Sequence, residues 1–255
     1  MASVRPPYLV ALMQELIEKG RTLAPERRAR HRDVILQSRT PDGGFRGREG
    51  HSDLYYTSFA LRGLVTVGDT AGFDETASFL RTHEPSQLSV VDVLSWLSSA
   101  ALLELVTGES IAEDTDALAA RLTERFESLR TPEGGYARTQ GAQASTYQSF
   151  LVWLAYQLLG LTVPHPTRLC DFFLGRLRDD GGFAEFTVMK RSGTNPTAAA
   201  VAVLAHHDAL TTDVCARVRG FLESVAAPEG GFRANSRVPI ADALSSFTGF
   251  LTARS

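Results

Sequence analysis

Several side chains in this sequence are of the right type to do chemistry, and each has a structural reading beside the functional one. Asp53, Asp92 and Asp242 each stand just before or within the start of an apolar run. Such carboxylates cap helices, and if brought to one mouth they would bind a cation or orient a cationic substrate. Basic residues collect in short polar segments: Arg46 and Arg48, Arg138, and Lys190 with Arg191. They read as solvated loop charge or as partners for an anion. Tyr55, Tyr56 and Tyr147 open apolar runs and could turn their hydroxyls toward a ligand or pack. His206 and His207 close another such run, where imidazole suits the helix dipole. Cys170 and Cys215 lie 45 residues apart and read as small apolar packing residues. No glycine-rich phosphate loop, Ser-His-Asp order or Cys-x-x-Cys pair occurs.

The elements that would position these residues form a repeat. Four glycine pairs, each followed by an aromatic residue, begin at Gly43, Gly134, Gly181 and Gly230, with gaps of 91, 47 and 49 residues. The doubled first gap implies a fifth unit that has lost its glycines near Pro85, Ser86 and Gln87. Aromatic or aliphatic anchors support this register: Ile35, Phe126 and Phe173 precede their glycine pairs by eight residues, and Phe79 precedes Gln87 by eight.

Each unit reads as a charged helix with one apolar stripe, a turn, and a more apolar helix. Residues 115–130 carry Leu118, Leu122, Phe126 and Leu129 at helical spacing. The apolar helices are expected over 54–67, 91–106, 146–161, 197–207 and 243–252, with Asn195 capping the fourth and Pro196 in its first turn. Trp96, Trp153, Phe59, Phe150 and Phe247 fall on these helices and line either a core or a cavity. The class is all-α, with amphipathic outer and apolar inner helices in two layers. Periodicity alone allows a closed toroid or an open solenoid.

The segment 37–64, QSRTPDGGFRGREGHSDLYYTSFALRGL, resembles a repeat of the protein prenyltransferase β subunits, which share the α/α-toroid with squalene and hopene cyclases. The resemblance runs through all five units and is densest in the first. It implies one α/α-toroid domain over 1–255, a barrel of about five hairpins around an apolar cavity. Known β subunits are longer, so a trimmed or incompletely closed barrel fits as well.

The same resemblance sets expectations for the site. The family's zinc ligands, Asp, Cys and His, would fall around 191–197 and at Ser245. Only Asp242 survives near them, so metal sites are expected to be absent and zinc unlikely. The acid cluster of the cyclases is approached only by Glu113, Asp114, Thr115 and Asp116, which read better as a helix cap. Lys190 and Arg191 lie close to where β subunits place cations against a diphosphate, with Arg138, Arg46 and Arg48 in similar loops. Leu94 stands where a further Arg would be expected. Magnesium would enter only with a diphosphate substrate.

These readings lead to a prenyltransferase-like protein that binds an isoprenoid diphosphate or another apolar small molecule and transfers its prenyl group without the family's zinc site. The alternatives are a lipid binder without activity and a scaffold for a protein partner. Hydrophobic residues are 44%, charged residues 22% and the net charge −3, so neither a disordered chain nor nucleic-acid binding fits. Apolar stretches such as 149–162 are too short for a membrane span. The N-terminus has no leader-like run and the two cysteines form no disulfide pattern, which points to the cytoplasm.

Overall fold

A computed structural model describes residues 5–254. The reading of the N-terminus rests partly on residues 1–4, which lie outside the described residues. Among the described residues there are eleven α-helices and no strands. Ten of them pair as the five hairpins. The amphipathic members are α2 (Pro25–Leu36), α4 (Phe73–Arg81), α6 (Thr115–Ser128), α8 (Pro166–Leu174) and α10 (Thr212–Val225). The apolar members are α3 (Leu54–Val67), α5 (Val90–Thr107), α7 (Thr146–Leu158), α9 (Thr194–His206) and α11 (Ala243–Ala253). Helix α1 (Tyr8–Arg21) precedes them and has no glycine turn after it, so it lies outside the repeat count.

The glycine turns are built alike. Each closes with a one-residue bridge, Arg39 to Phe45, Arg130 to Tyr136, Leu177 to Phe183 and Ala226 to Phe232. In each, the N–H of the aromatic residue donates to a hydroxyl on the fourth residue of the apolar helix. The acceptors are Thr57 (2.9 Å), Ser149 (2.8 Å), Thr197 (2.9 Å) and Ser246 (3.0 Å). The first glycine has φ between 88° and 97° in all four, a region that side-chain-bearing residues enter only with strain. At Gly43, Gly134 and Gly181 a Cβ would also meet a backbone oxygen of the next amphipathic helix at 2.3, 2.5 and 2.2 Å. The acidic residue before the glycines is a structural brace: Asp42 accepts from the Gly44 N–H, and Asp180 accepts from Gly182 and Ser192. The second repeat has a 3₁₀ turn, Pro85–Gln87, in place of this device. The fourth residue of α5 is Val93, so the hydroxyl was lost together with the glycines.

The chain divides into two compact units. In the first, which runs to Arg125 and includes Leu154–Leu161, α3 packs on α5, and α2 and α4 cover their outer sides. Helix α1 crosses the C-terminal ends of α3, α5 and α7. Its first N–H donates to Gln157 Oε1 at 2.8 Å, its middle lines an apolar cavity together with Leu102 and Leu105, and Gly20 lies so close to the Thr66 carbonyl that no Cβ fits. Helix α5 is long and apolar enough by composition to cross a bilayer, and 56% of it is buried inside the fold.

In the second unit, α9 packs on α11, with α8 and α10 outside. Phe173, Phe183, Phe221 and Val225 are almost fully buried there, each contributing roughly 1.5–3 kcal/mol through removal from water. The start of α9 is three residues earlier than its proline suggests, with Gly193 and not Asn195 at the cap. Tertiary bonds draw the chain in: Thr194 donates through its N–H to Ala234 O at 2.9 Å and through its hydroxyl to Arg233 O. The Asn195 side chain instead accepts from Thr248 at 2.7 Å.

Candidate functional site

Two of the three aspartates cap helices. Asp53 accepts from the N–H groups of Tyr55 (2.8 Å) and Tyr56 (3.1 Å) at the start of α3. Asp242 accepts from Ser245 N–H at 2.8 Å at the start of α11, which holds its carboxyl below the usual range. Asp92 lies inside the first turn of α5, where Ser89 is the cap and exchanges bonds with it. Asp114 likewise accepts from Ala117 N–H and opens α6. Helix-end satisfaction accounts for all four carboxylates.

The loop cations are different. Arg46, Arg48, Arg138, Lys190 and Arg191 are exposed, and among the described residues none has a side-chain hydrogen bond or an acid partner. Arg46 and Arg48 precede α3 in the first unit. In the second, the starts of α7 and α9 are tied to the following loops through Thr146 to Ala184 and Glu185 and through Thr194 to Arg233 and Ala234. Arg138, Lys190 and Arg191 therefore belong to neighbouring loops at the N-terminal end of those helices. Glu185 stands at the same end and accepts from Tyr147 N–H at 3.0 Å.

Large apolar side chains recur, exposed, at the second residue of three apolar helices: Tyr55 on α3, Tyr147 on α7 and Leu244 on α11. Phe59 and Phe247 extend the exposed face by another turn, while Trp96 and Trp153 are buried in the core. The Tyr55 ring meets Phe59 at 4.9 Å and Tyr56 at 5.6 Å, and Tyr56 also lies against Gly47.

Arg62 was not among the residues singled out from sequence. It is the one charged residue in α3, and that isolation was the available signal. Its guanidinium lies 4.4 Å over the Phe59 ring. It donates to Ser58 O at 3.1 Å and to Ser58 Oγ at 2.6 Å, and Ser58 Oγ lies 3.3 Å from Ser98 Oγ on α5. No carboxylate faces it among the described residues. Burial pushes its pKa down, which a counter-ion would oppose. Arg62 also lines an apolar cavity of about 60 Å³ together with α1 (Met13, Ile17) and α5 (Ala101, Leu102, Leu105).

The residues present do not fit a zinc ion. Among the described residues no three His, Cys, Asp or Glu come together as ligands. Where the resemblance places a histidine, Ser245 has a buried hydroxyl without a partner, and the nearby Asp242 is occupied by its cap. His207 Nε2 lies 3.1 Å from Trp153 Nε1 and serves as its acceptor, and His206 packs on the same ring. Cys170 is buried, which raises its thiol pKa, whereas Cys215 is exposed, so the packing reading holds only for Cys170.

Comparison with known proteins agrees with this geometry. The fold is similar to that of Candida albicans protein geranylgeranyltransferase-I complexed with GGPP, with a TM-score of 0.70 and 14% identity over 91% of this chain and 78% of that one. It is also similar to a type II terpene cyclase from Scytonema in complex with merosterolic acid A, with a TM-score of 0.59 and 16% identity over 95% of this chain and 74% of that one. At such identity these likenesses establish the α/α-toroid fold. No curated protein sequence matches the chain. Residues 8–87 and 83–248 match the profile of the prenyltransferase alpha-alpha toroid domain, and the chain belongs to that family.

Proposed function

We propose that this protein binds an isoprenoid diphosphate on its second compact unit, with the hydrocarbon chain on the exposed apolar faces of the inner helices there and the diphosphate at Arg138, Lys190 and Arg191. The observation that carries the reading is the recurrence of exposed Tyr55, Tyr147 and Leu244 at one helix register. Exposed apolar groups placed repeatedly at one position are ligand-facing surface more readily than accident. Lys190 and Arg191, with Arg138 in the neighbouring loop of the same unit, supply charge that no acid among the described residues neutralises, as a diphosphate requires. Magnesium would act as a counter-ion to the bound diphosphate.

Transfer of the prenyl group would need an acceptor other than a zinc-bound thiolate, because the described residues do not bring a donor set for that metal together. The capped Asp242 and the orphan Ser245 hydroxyl favour a second reading on the same site, binding without transfer. Calorimetric titration with farnesyl and geranylgeranyl diphosphate, with and without magnesium, tests the first step. The expected result is saturable binding that falls at least about tenfold in the Lys190→Ala/Arg191→Ala protein, the loss of one charge-assisted hydrogen bond or more. Binding unchanged by the double substitution removes the diphosphate site. A radiolabelled prenyl donor incubated with thiol-free acceptors then separates transfer from binding.

A further inference from the structure

We infer that Arg62 is the anion-recognising group of a second site, on the α3 face of the first compact unit, that takes a monocarboxylate with an apolar body. The site uses none of the loop cations and shares with the diphosphate reading only the recurring register at which Tyr55 stands. Its elements are the guanidinium, the Phe59 ring beneath it, the Tyr55 ring beyond, and the Ser58 and Ser98 hydroxyls.

Three features point to a ligand and to its class. First, a cation drawn partly out of water and given no acid partner is unfavourable by itself. The other two arginines stacked on an aromatic ring among the described residues each find a carboxylate: Arg130 finds Glu127 and Arg176 finds Glu133. Second, the donors are incompletely used. Nε and one Nη2 hydrogen are committed to Ser58, and the two hydrogens of Nη1 have no acceptor among the described residues. A planar carboxylate accepts from such a fork, whereas a single cation is a poor match for the two or three charges of a diphosphate. Third, the surroundings are apolar and aromatic. Tyr55 and Phe59 stay exposed beside the charge, and the cavity that Arg62 lines together with Leu102 and Leu105 is apolar. An aliphatic carboxylate would pair its head with Arg62 and cover these rings with its chain.

The test uses decanoate and decanol as probes, titrated calorimetrically into the wild-type protein and into Arg62→Met and Arg62→Lys. Decanoate is expected to bind at least about tenfold more tightly than decanol in the wild type. Arg62→Met should bind the two probes equally, and Arg62→Lys should keep part of the preference. Thermal unfolding without ligand provides the readout that separates binding from packing: Arg62→Met should melt at or above the wild-type temperature, because it removes an unpaired charge. A folded wild-type protein that does not prefer decanoate overturns the site, as does Arg62→Met binding decanoate like wild type. A lowered melting temperature with binding lost in proportion makes Arg62 a packing residue and overturns it too. The Lys190→Ala/Arg191→Ala protein should bind decanoate unchanged, so failure here and failure of the diphosphate reading remain distinguishable.

Discussion

The glycine turn of the third repeat and the middle of α3 each hold an arginine stacked 4.4 Å over an aromatic ring, yet the two are placed for opposite ends. At the turn, Arg130 donates to both Glu127 oxygens (2.6 and 3.0 Å), to Gly134 O at 3.0 Å, to Pro164 O at 2.8 Å and to the Tyr136 hydroxyl. Its donors are consumed by the fold, so it fixes the turn to the segment before α8. On α3, Arg62 has the same ring contact and no carboxylate, and its remaining donors point at nothing the described chain supplies. The difference teaches where to look for ligands in a repeat protein. Charges recruited by the repeat are answered within it, and those left unanswered face something else.

The largest effect expected from this contrast is at the turn. Arg130→Met takes the guanidinium from Glu127, which keeps the Tyr136 hydroxyl at 2.8 Å, and from the Gly134 and Pro164 carbonyls; it should cost about 3 kcal/mol, seen as a clear drop in the denaturation midpoint. A loss under about 1 kcal/mol would place Arg130 with Arg62 and erase the distinction.

Glycine substitutions sharpen it next. Gly181→Ala meets both a positive φ and the Arg217 carbonyl, while Gly230→Ala meets a positive φ with nothing within 4 Å. Roughly 3 kcal/mol is expected for the first and about 1 kcal/mol for the second. Equal losses would mean that backbone conformation alone, and not the next helix, sets the need for glycine.

Removing the exposed cations should do least to stability. Lys190→Ala/Arg191→Ala is expected within about 0.5 kcal/mol of wild type in chemical denaturation, as for surface changes without partners. A larger loss would make these residues structural.

The smallest effect concerns acid. The Asp242 carboxyl is held low chiefly by the N–H of Ser245, which donates to it at the start of α11. At Asp42, burial alone would raise the carboxyl, and the bonds from Ser52, Thr40 and Gly44 outweigh it and bring it below the usual range. A carboxyl lowered by folding stabilises above its unfolded value, about 3.9, and loses that contribution as pH falls through the folded value. Melting temperature should therefore decline below about pH 4, and less steeply in Asp242→Asn. An identical slope in the variant would remove Asp242 from the acid response.

Much of the fold was legible because it rests on local chemistry repeated five times. The span 54–67 was read to the residue from its apolar run after the glycine pair, and the lost turn at 85–87 was placed by register alone. Helix α1 escaped because it carries no glycine pair, though Tyr8, Met13 and Ile17 give it an apolar side. The early start of α9 depends on bonds to 233 and 234, which are distant in sequence. At the site, the capping role of Asp53 and Asp242 and the exposure of the loop cations followed from residue type. Arg62 did not, because a sequence displays which charges exist and not which of them lack a partner.

The most direct test of the account is a crossed titration. Wild type, Arg62→Met and Lys190→Ala/Arg191→Ala are each titrated with geranylgeranyl diphosphate and with decanoate. Unpartnered cations that serve separate ligands predict that each variant loses only its own probe, by about tenfold or more, and keeps the other. Variants that lose both probes together, or neither, would contradict it.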